Sequence, residues 1–424
     1  MDYKTNIISD HKNKHPFNYS LPNHWSLHRF KDHFKEVTIK NQTSKELLSV
    51  YLNKGVIKYS DSTGMQVHKP SESLEDYQLV KPGNFVMNNQ QAWRGSVGVS
   101  MYEGIISPAY LVFEMSNNLN NEYANFLLRD DFMISQFLIA SKGVGSIQRN
   151  IYTPNLLNVY VAIPPIDEQI DIANILNYKV NLIDTYILEK SKIMSLLNEQ
   201  KLSIIDKLVT QGVDENIEKI ATNIPWFPYR PLHWKIKRNK NVFHLKKIIV
   251  GEESVNHDVL SLSINGIIPR DIDSGKGKFP GSFDGYQIVR KNDFVFCLFD
   301  LDETPRTVGL SNIDGIISSA YTVFETSDVD REYLYYYYLT LDNRKALKPL
   351  YTGLRKVINN DVFLRAQLVC PPIEEQRIIV KEITKSVSEI DVTIEHIQKE
   401  ITLLEEFKST LIHNYVTGKV QRMK

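Results

Sequence analysis

The sequence predicts an α+β protein in which one unit occurs twice. Each unit is an α/β module followed by a long helix, and the two helices form a coiled coil. Three observations predict this. The stretch that begins PPIDEQIDIANIL at Pro164 returns as PPIEEQRIIVKEI at Pro371, without a gap, at an offset of 207 residues; internal repetition decides architecture before any single residue does. Each copy then carries apolar residues at steps of three and four over more than three heptads. The segments ahead of each copy share β-branched and aromatic runs bounded by Gly, Pro and Asn, which read as strands.

The chain opens on a polar stretch, MDYKTNIISDHKNKHPF, that lacks the apolar core of a signal peptide. Order is expected from LPNHWSLHRF, with Pro22 and Trp25, a phrase that returns as RPLHWKIKRN with Pro231 and Trp234. Two strand blocks follow in each half. YQLVKPGNFVMNN from Tyr77 matches YQIVRKNDFVFCL from Tyr286, and GIISPAYLVFE from Gly104 matches GIISSAYTVFE from Gly315. Pro82-Gly83 marks a tight turn in the first block, and Lys291-Asn292-Asp293 stands in its place in the second. Helical spacing resumes in NEYANFLLRDDFMISQFL and in REYLYYYYLTLDNRKALKPL. Half of the Tyr335–Tyr338 run then faces a core; the other half would be free to stack on bases. Glycine loops (SKGVGSIQRN, YTGLRKVINN) and a last strand (NVYVAIPP, AQLVCPP) lead into each long helix. The implied boundaries are 1–163 for the first module, 164–224 for its helix and a connector, 225–370 for the second module and 371–424 for the second helix.

Between the matching strands the halves differ. Met87–Glu103 has no likeness to Phe296–Asp314, nor Asn41–Leu74 to Val250–Phe283. One scaffold with two sets of loops is how two different ligands, or two half-sites, would be read.

In the second helix Val380, Ile383, Val387, Ile390, Ile394, Ile397, Ile401 and Leu404 form the seam. In the first it is Ala173, Leu176, Val180, Ile183, Ile187, Met194, Leu197, Ile204 and Leu208, interrupted by Lys190 and Lys201. Roughly 40 helical residues span about 60 Å, and a helix apolar on one stripe needs a partner. Pro165 and Pro372 open the helices, and Asp167, Glu168, Glu374 and Glu375 suit their N-terminal dipole ends.

At 424 residues the chain has room for two or more cores, and its formal net charge is zero. Nothing global announces a polyanion partner, so any nucleic-acid contact must be local. Two cysteines, Cys297 and Cys370, exclude a disulfide framework and a Cys-rich zinc site and suit a reducing cytoplasm. No apolar run is long enough to span a membrane.

The doubled PPIxEQ element leading into a heptad helix, with the GIISPAY and GIISSAY strands and glycine loops before it, resembles the specificity subunit of type I restriction-modification enzymes, from about Leu21 to the end. The resemblance implies two target recognition domains, each reading one half of a split, asymmetric DNA site, and two antiparallel helices that hold them apart. It implies partners: double-stranded DNA, two methyltransferase subunits that methylate adenine N6 with S-adenosylmethionine, and motor-nuclease subunits that use ATP and Mg. Pro164, Pro165, Gln169, Pro371, Pro372 and Gln376 would lie near the methyltransferase contact. The implied location is cytoplasmic.

The chain itself reads as non-catalytic, with no cofactor of its own. Neither Pro-Pro pair belongs to an Asn/Asp-Pro-Pro-aromatic tetrad, there is no GxxxxGK[ST] loop (SGKGK at Ser274 lacks the spacing), and no HExxH or Cys/His cluster suggests a metal. For DNA, Gln and Asn pair with adenine edges and Arg with guanine. Asn88, Asn89, Gln90, Gln91, Trp93 and Arg94 form one polar loop with those donors and a stacking group. Asp300, Asp302, Thr304 and Arg306 fall in the matching stretch of the second module. Lys142, Arg149, Arg355 and Lys356, beside glycines, suit phosphate contacts, as does the basic run KIKRNKNVFHLKK from Lys235. The plain alternative for each is a solvated loop. Two other readings stand beside the first: a specificity subunit of a related methyltransferase-nuclease system, and a coiled-coil adaptor whose modules bind proteins. A helix pair that acts as a ruler sets the spacing of half-sites in steps related to the DNA turn, roughly 34 Å. Inserting or deleting four residues near Lys190 is therefore expected to change the spacer in the methylated sites and leave the bases read unchanged; sequencing those sites checks it.

Overall fold

The computed structural model describes residues 21–52, 54–62, 70–144, 148–214, 216–271, 280–352 and 356–420. The chain divides into two compact units, Met1–Lys190 with Lys399–Lys424 and Ser191–Gln398. Each unit thus holds one globular module, part of the first long helix (Ile166–Gln211) and part of the second (Ile373–Val416).

In the first unit, strand Ser26–Arg29 pairs antiparallel with Tyr160–Ile163, so the module is zipped at its two ends. The central sheet is antiparallel in the order Phe34–Glu36, Tyr110–Met115, Phe85–Asn88, Val97–Val99. Phe30, Phe34, Phe85, Phe113 and Phe137 pack ring against ring, and Tyr123, Leu127 and Leu128 of helix Asn121–Leu128 join the same core. The second unit repeats the plan. Lys235–Arg238 pairs with Gln367–Cys370. The sheet runs Phe243–Lys246, Thr322–Thr326, Phe294–Phe296, Val308–Leu310. Of the tyrosine run, Tyr337 and Tyr338 are 1% and 2% exposed and sit in the core, while Tyr335 and Tyr336 are half-buried. Lys246 leaves the basic run and turns inward to Asp293 and Glu325, at 2.8 and 2.9 Å.

One pair of stretches that differ in sequence still shares a feature of plan. Asn41–Leu74 and Val250–Phe283 each contain a hairpin, Leu48–Tyr51 with Gly55–Lys58 and Leu260–Ser263 with Gly266–Pro269. Both rest on paired glycines. A Cβ on Gly104 would stand 2.7 Å from Leu48 Cγ, and one on Gly315 would stand 2.7 Å from Leu260 Cγ. Glycine in these strands is what lets a second strand pair lie so close.

The seam residues of both helices are buried or half-buried, apart from a shift at the start of the second, where Ile379 is fully buried and Val380 only half. Within the first unit Asp184 meets Lys408 and Lys190 meets Glu400, both at 2.7 Å, so the helix segments there are antiparallel. Within the second unit Lys201 meets Asp391 at 2.7 Å and Gly212 lies beside Glu375, again antiparallel. Asp184 and Asp391 are equivalent in the repeat, as are Lys201 and Lys408, so one bridge is made twice. The two lysines that interrupt the first seam are those that reach the other helix. Such solvent-exposed pairs contribute only about 0–1 kcal/mol each; their effect is on orientation and register.

Each helix is anchored at its first turn. The Gln169 carboxamide is 1% exposed; it accepts from the Asn120 N–H at 2.8 Å and donates to the Asn118 and Pro164 carbonyls at 2.9 Å. Gln376, equally buried, accepts from the Asp330 N–H at 2.8 Å and donates to the Pro371 carbonyl at 2.9 Å. Asn120 and Asp330 are the N-caps of helices Asn121–Leu128 and Arg331–Asn343, earlier in the same modules. One residue earlier, Glu168 accepts from the Trp25 indole N–H at 3.2 Å and pairs with His24 at 2.7 Å; Glu375 does the same with Trp234 and His233, at 2.9 and 2.7 Å. Removing the buried amide leaves a backbone N–H without an acceptor. Gln376→Ala is therefore expected to lower the unfolding free energy by about 2–3 kcal/mol; urea titration followed by circular dichroism measures it, and an unchanged midpoint contradicts the anchoring role.

Candidate nucleic-acid interface

In the first unit, strand Phe85–Asn88 ends in a loop that one 3-10 turn, Ala92–Arg94, closes at Gly95, whose φ of 95° suits glycine. The loop is held by its own polar groups. The Asn88 side-chain oxygen accepts from the Gln90 N–H, and the Asn89 side-chain oxygen from the Ile151 N–H, both at 2.9 Å. The Trp93 indole donates to the Gln90 carbonyl at 2.9 Å, and the Arg94 guanidinium lies 4.5 Å over the Trp93 ring. Ile151 belongs to the hairpin Ser141–Val144 with Gln148–Ile151, which carries Lys142 and Arg149. Lys142 Nζ stands 3.3 Å over the Tyr152 ring, and Arg149 reaches Ser141 Oγ at 3.5 Å. The fold thus brings two groups of expected residues, 88–94 and 142/149, onto one surface.

That surface includes a cleft of about 570 Å³ between the loop and the Leu48–Lys58 hairpin, lined among others by Tyr51, Tyr59, Asn88, Gln90, Gln91 and Tyr110. Gln90 is exposed and Gln91 half-buried, and neither side-chain amide has a hydrogen-bond partner among the described residues. A cleft walled by tyrosines with two available carboxamides can hold a planar ring edge that both donates and accepts.

The second unit arranges its loop differently. Thr304 donates to the Asp300 carbonyl at 2.9 Å and so closes its own turn. Arg306 is tied down: its guanidinium meets Asp342 at 3.1 Å and Asn343 at 3.0 Å, and only 15% of its side chain is exposed. Asp342, itself 3% exposed, also takes the Thr307 N–H and hydroxyl and Lys345. Lys356 pairs with Glu303 and Asp302 at 3.3 and 3.4 Å. The Glu303 hydrogen bond, with the Asp302 charge, raises its pKa. Partial burial and then the hydrogen bond to Asp302 push the Tyr351 phenol up to about 12. Arg306 and Lys356 therefore face carboxylates of their own chain. Arg355 and the SGKGK segment lie outside the described residues.

Of the six residues expected at a partner contact, Pro164, Gln169, Pro371 and Gln376 are buried, and both glutamine side chains are engaged within their modules. Pro165 and Pro372 are exposed, next to Ile166 and Ile373, which are 43% and 40% exposed. Sequence reasoning missed the clamp of His24 and Trp25 on Glu168. Its signal was present, since HW and EQ both recur, but nothing in their spacing says that they meet. No cluster of three metal-ligating side chains occurs among the described residues.

A family model described as Type I restriction modification DNA specificity domain matches residues 23–197 and 231–403. The Type I restriction enzyme MjaVIII specificity subunit of Methanocaldococcus jannaschii is 23% identical over 357 residues, 78% of this chain and 78% of that protein. A chain in a solved structure described as "Structural basis underlying complex assembly and conformational transition of the type I R-M system" superposes with a TM-score of 0.65 at 15% identity, covering 95% of this chain and all of that one. At that identity the likeness is one of fold.

The contrast between the two loops is testable through stability. Arg306→Ala is expected to lower the unfolding free energy by about 2–3 kcal/mol, because it leaves a buried carboxylate short of a partner. Gln90→Ala is expected to change it by less than about 0.5 kcal/mol. Thermal melts of the two variants compare them, and equal shifts would contradict the assignment.

Proposed function

Given that the chain belongs to the type I restriction-modification DNA specificity family, we propose that it is the sequence-reading subunit of a type I complex, with one half of a bipartite, asymmetric site read by each module. The observation that carries the reading is the cleft of the first unit, where Gln90 and Gln91 present carboxamides that no other described residue engages, beside tyrosine rings; Gln pairs bidentately with the adenine edge in the major groove. Arg94, Lys142 and Arg149 flank it on the same unit and suit phosphates. In the second module Thr304, Arg306, Arg355 and Lys356 are the counterparts, and there DNA would compete with Asp302 and Glu303 for Lys356.

The long helices dock the other subunits. Besides its seam, the first helix has a second apolar stripe in which Tyr178, Leu182 and Tyr186 are 67%, 49% and 58% exposed. Exposed apolar rows of this kind mark contact surfaces. The Pro165-Ile166 and Pro372-Ile373 corners would belong to the methyltransferase contact. S-adenosylmethionine, ATP and Mg are then handled by the methyltransferase and motor-nuclease subunits, and this chain contributes no catalytic group.

Zero net charge and the internally paired cations of the second unit favour a second reading, a protein-binding adaptor. Filter binding of the assembled complex to DNA, titrated with salt, separates them. A reader that neutralises six phosphates loses about 10³-fold in affinity between 50 and 200 mM salt through counterion release. A flat response favours the adaptor.

A further inference from the structure

Arg129 caps the C-terminal end of helix Asn121–Leu128 in the first unit. Its guanidinium packs on the turn of the Leu48–Lys58 hairpin: a Cβ on Gly55 would stand 3.5 Å from Nη1. It has no hydrogen bond and no ion pair among the described residues. Burial pushes its pKa down, and no carboxylate among the described residues offsets the shift. Arginine stays protonated all the same. A cation drawn partly out of water without an acceptor is unfavourable unless something outside the chain supplies one.

The second unit shows that the scaffold does not need it. Asn120 and Asp330 are equivalent helix caps, each bound through its N–H to the anchoring glutamine. Nine residues on from each cap stand Arg129 and Leu339, and Leu339 is 8% exposed. The hairpins differ in the same sense. Gly98 lies under Gly55, whose Cα would be 2.9 Å from an added Cβ; Gly309 lies under Ile267 and Leu262, each 2.7 Å from one. Both hairpins turn at a glycine of positive φ, but a Cβ on Gly266 would meet nothing within 4 Å, whereas the turn at Gly55 carries a guanidinium that has no partner among the described residues. Tyr51 and Leu52 of the same hairpin line the cleft that holds Gln90 and Gln91.

We propose that Arg129 binds a backbone phosphate of the DNA whose bases enter the cleft of the first module, a contact that the second module lacks. The proposal rests on the DNA-reading function above and adds a residue that no sequence motif marks. The test uses the assembled complex with Arg129→Leu, which puts the second module's residue at that place and removes the charge, and Arg129→Lys, which keeps the charge. Affinity for cognate and unrelated duplexes is measured from 50 to 200 mM salt. With Arg129→Leu, both duplexes are expected to bind more weakly by the same factor. The loss of affinity across that salt range should be about 3.5-fold smaller than in the wild type, as for one phosphate contact fewer. Arg129→Lys should retain the wild-type slope, and the methylated sequence should not change. An unaltered slope in Arg129→Leu, or a loss confined to the cognate duplex, overturns the phosphate assignment while leaving the DNA-reading function standing. A flat wild-type response overturns both.

Discussion

Everything in each unit hangs on the first turn of its long helix, where a glutamate and a glutamine tie together segments far apart in the chain. The glutamine fills the gap between the helix start and the N-cap of an earlier helix in the same module. The glutamate holds the tryptophan next to the module's first strand, and that strand is zipped to the strand from which the long helix emerges. An amide buried with its bonds made rigidifies; the same amide buried without them would cost more than an apolar side chain. The helix therefore leaves its module in one direction only, which any device that converts helix geometry into spacing requires.

The end of the other repeat's helix completes each unit. Val416 belongs to the core of the first unit, beside Ala173 and Leu176; Ile205 and Val209 belong to that of the second, beside Ile379 and Ile383. Gly212 lies against Trp234, and Gly418 against Trp25, both with positive φ. The equivalent positions Asp206 and His413 distinguish the two closures. Asp206 meets Arg344 in one unit, and His413 meets Asp130 at 3.1 Å in the other. Burial raises the pKa of Asp130, and the histidine opposes that shift. An acid facing a base in one unit, and the reverse in the other, disfavours exchange of the two helix ends, since exchange would bring like groups together.

Divergence is confined to the rim of a constant frame. The two hairpins differ in loop length and match at few residues, among them Leu48-Ser49 with Leu260-Ser261, yet both rest on glycines at the same places in the sheet, because only a missing Cβ admits them. Above that floor the modules part ways. Among the described residues the first leaves the Gln90 and Gln91 carboxamides and the Arg129 guanidinium without partners, and the second pairs Arg306 and Lys356 with carboxylates of its own. Two surfaces of unlike chemistry are what the proposed reading of a bipartite, asymmetric site requires.

The doubling, the repeated strand blocks, the seam of each helix and the prolines that open them were legible in the sequence, because repetition and periodicity are properties of neighbours along the chain; the two hairpins, and the strand pair Lys219–Ile224 with Phe227–Pro231 where a connector was expected, were not. The lysines interrupting the first seam were legible as interruptions but not as bridges. Tertiary structure alone decided that Gln169 and Gln376 turn inward, that Arg306 is held by Asp342, that Lys246 leaves the basic run, and that Arg129 has no counter-ion among the described residues. Each of these depends on which distant group lies within about 3 Å, and a charged or amide side chain carries no sign in the sequence of whether its partner is solvent, its own fold or a ligand.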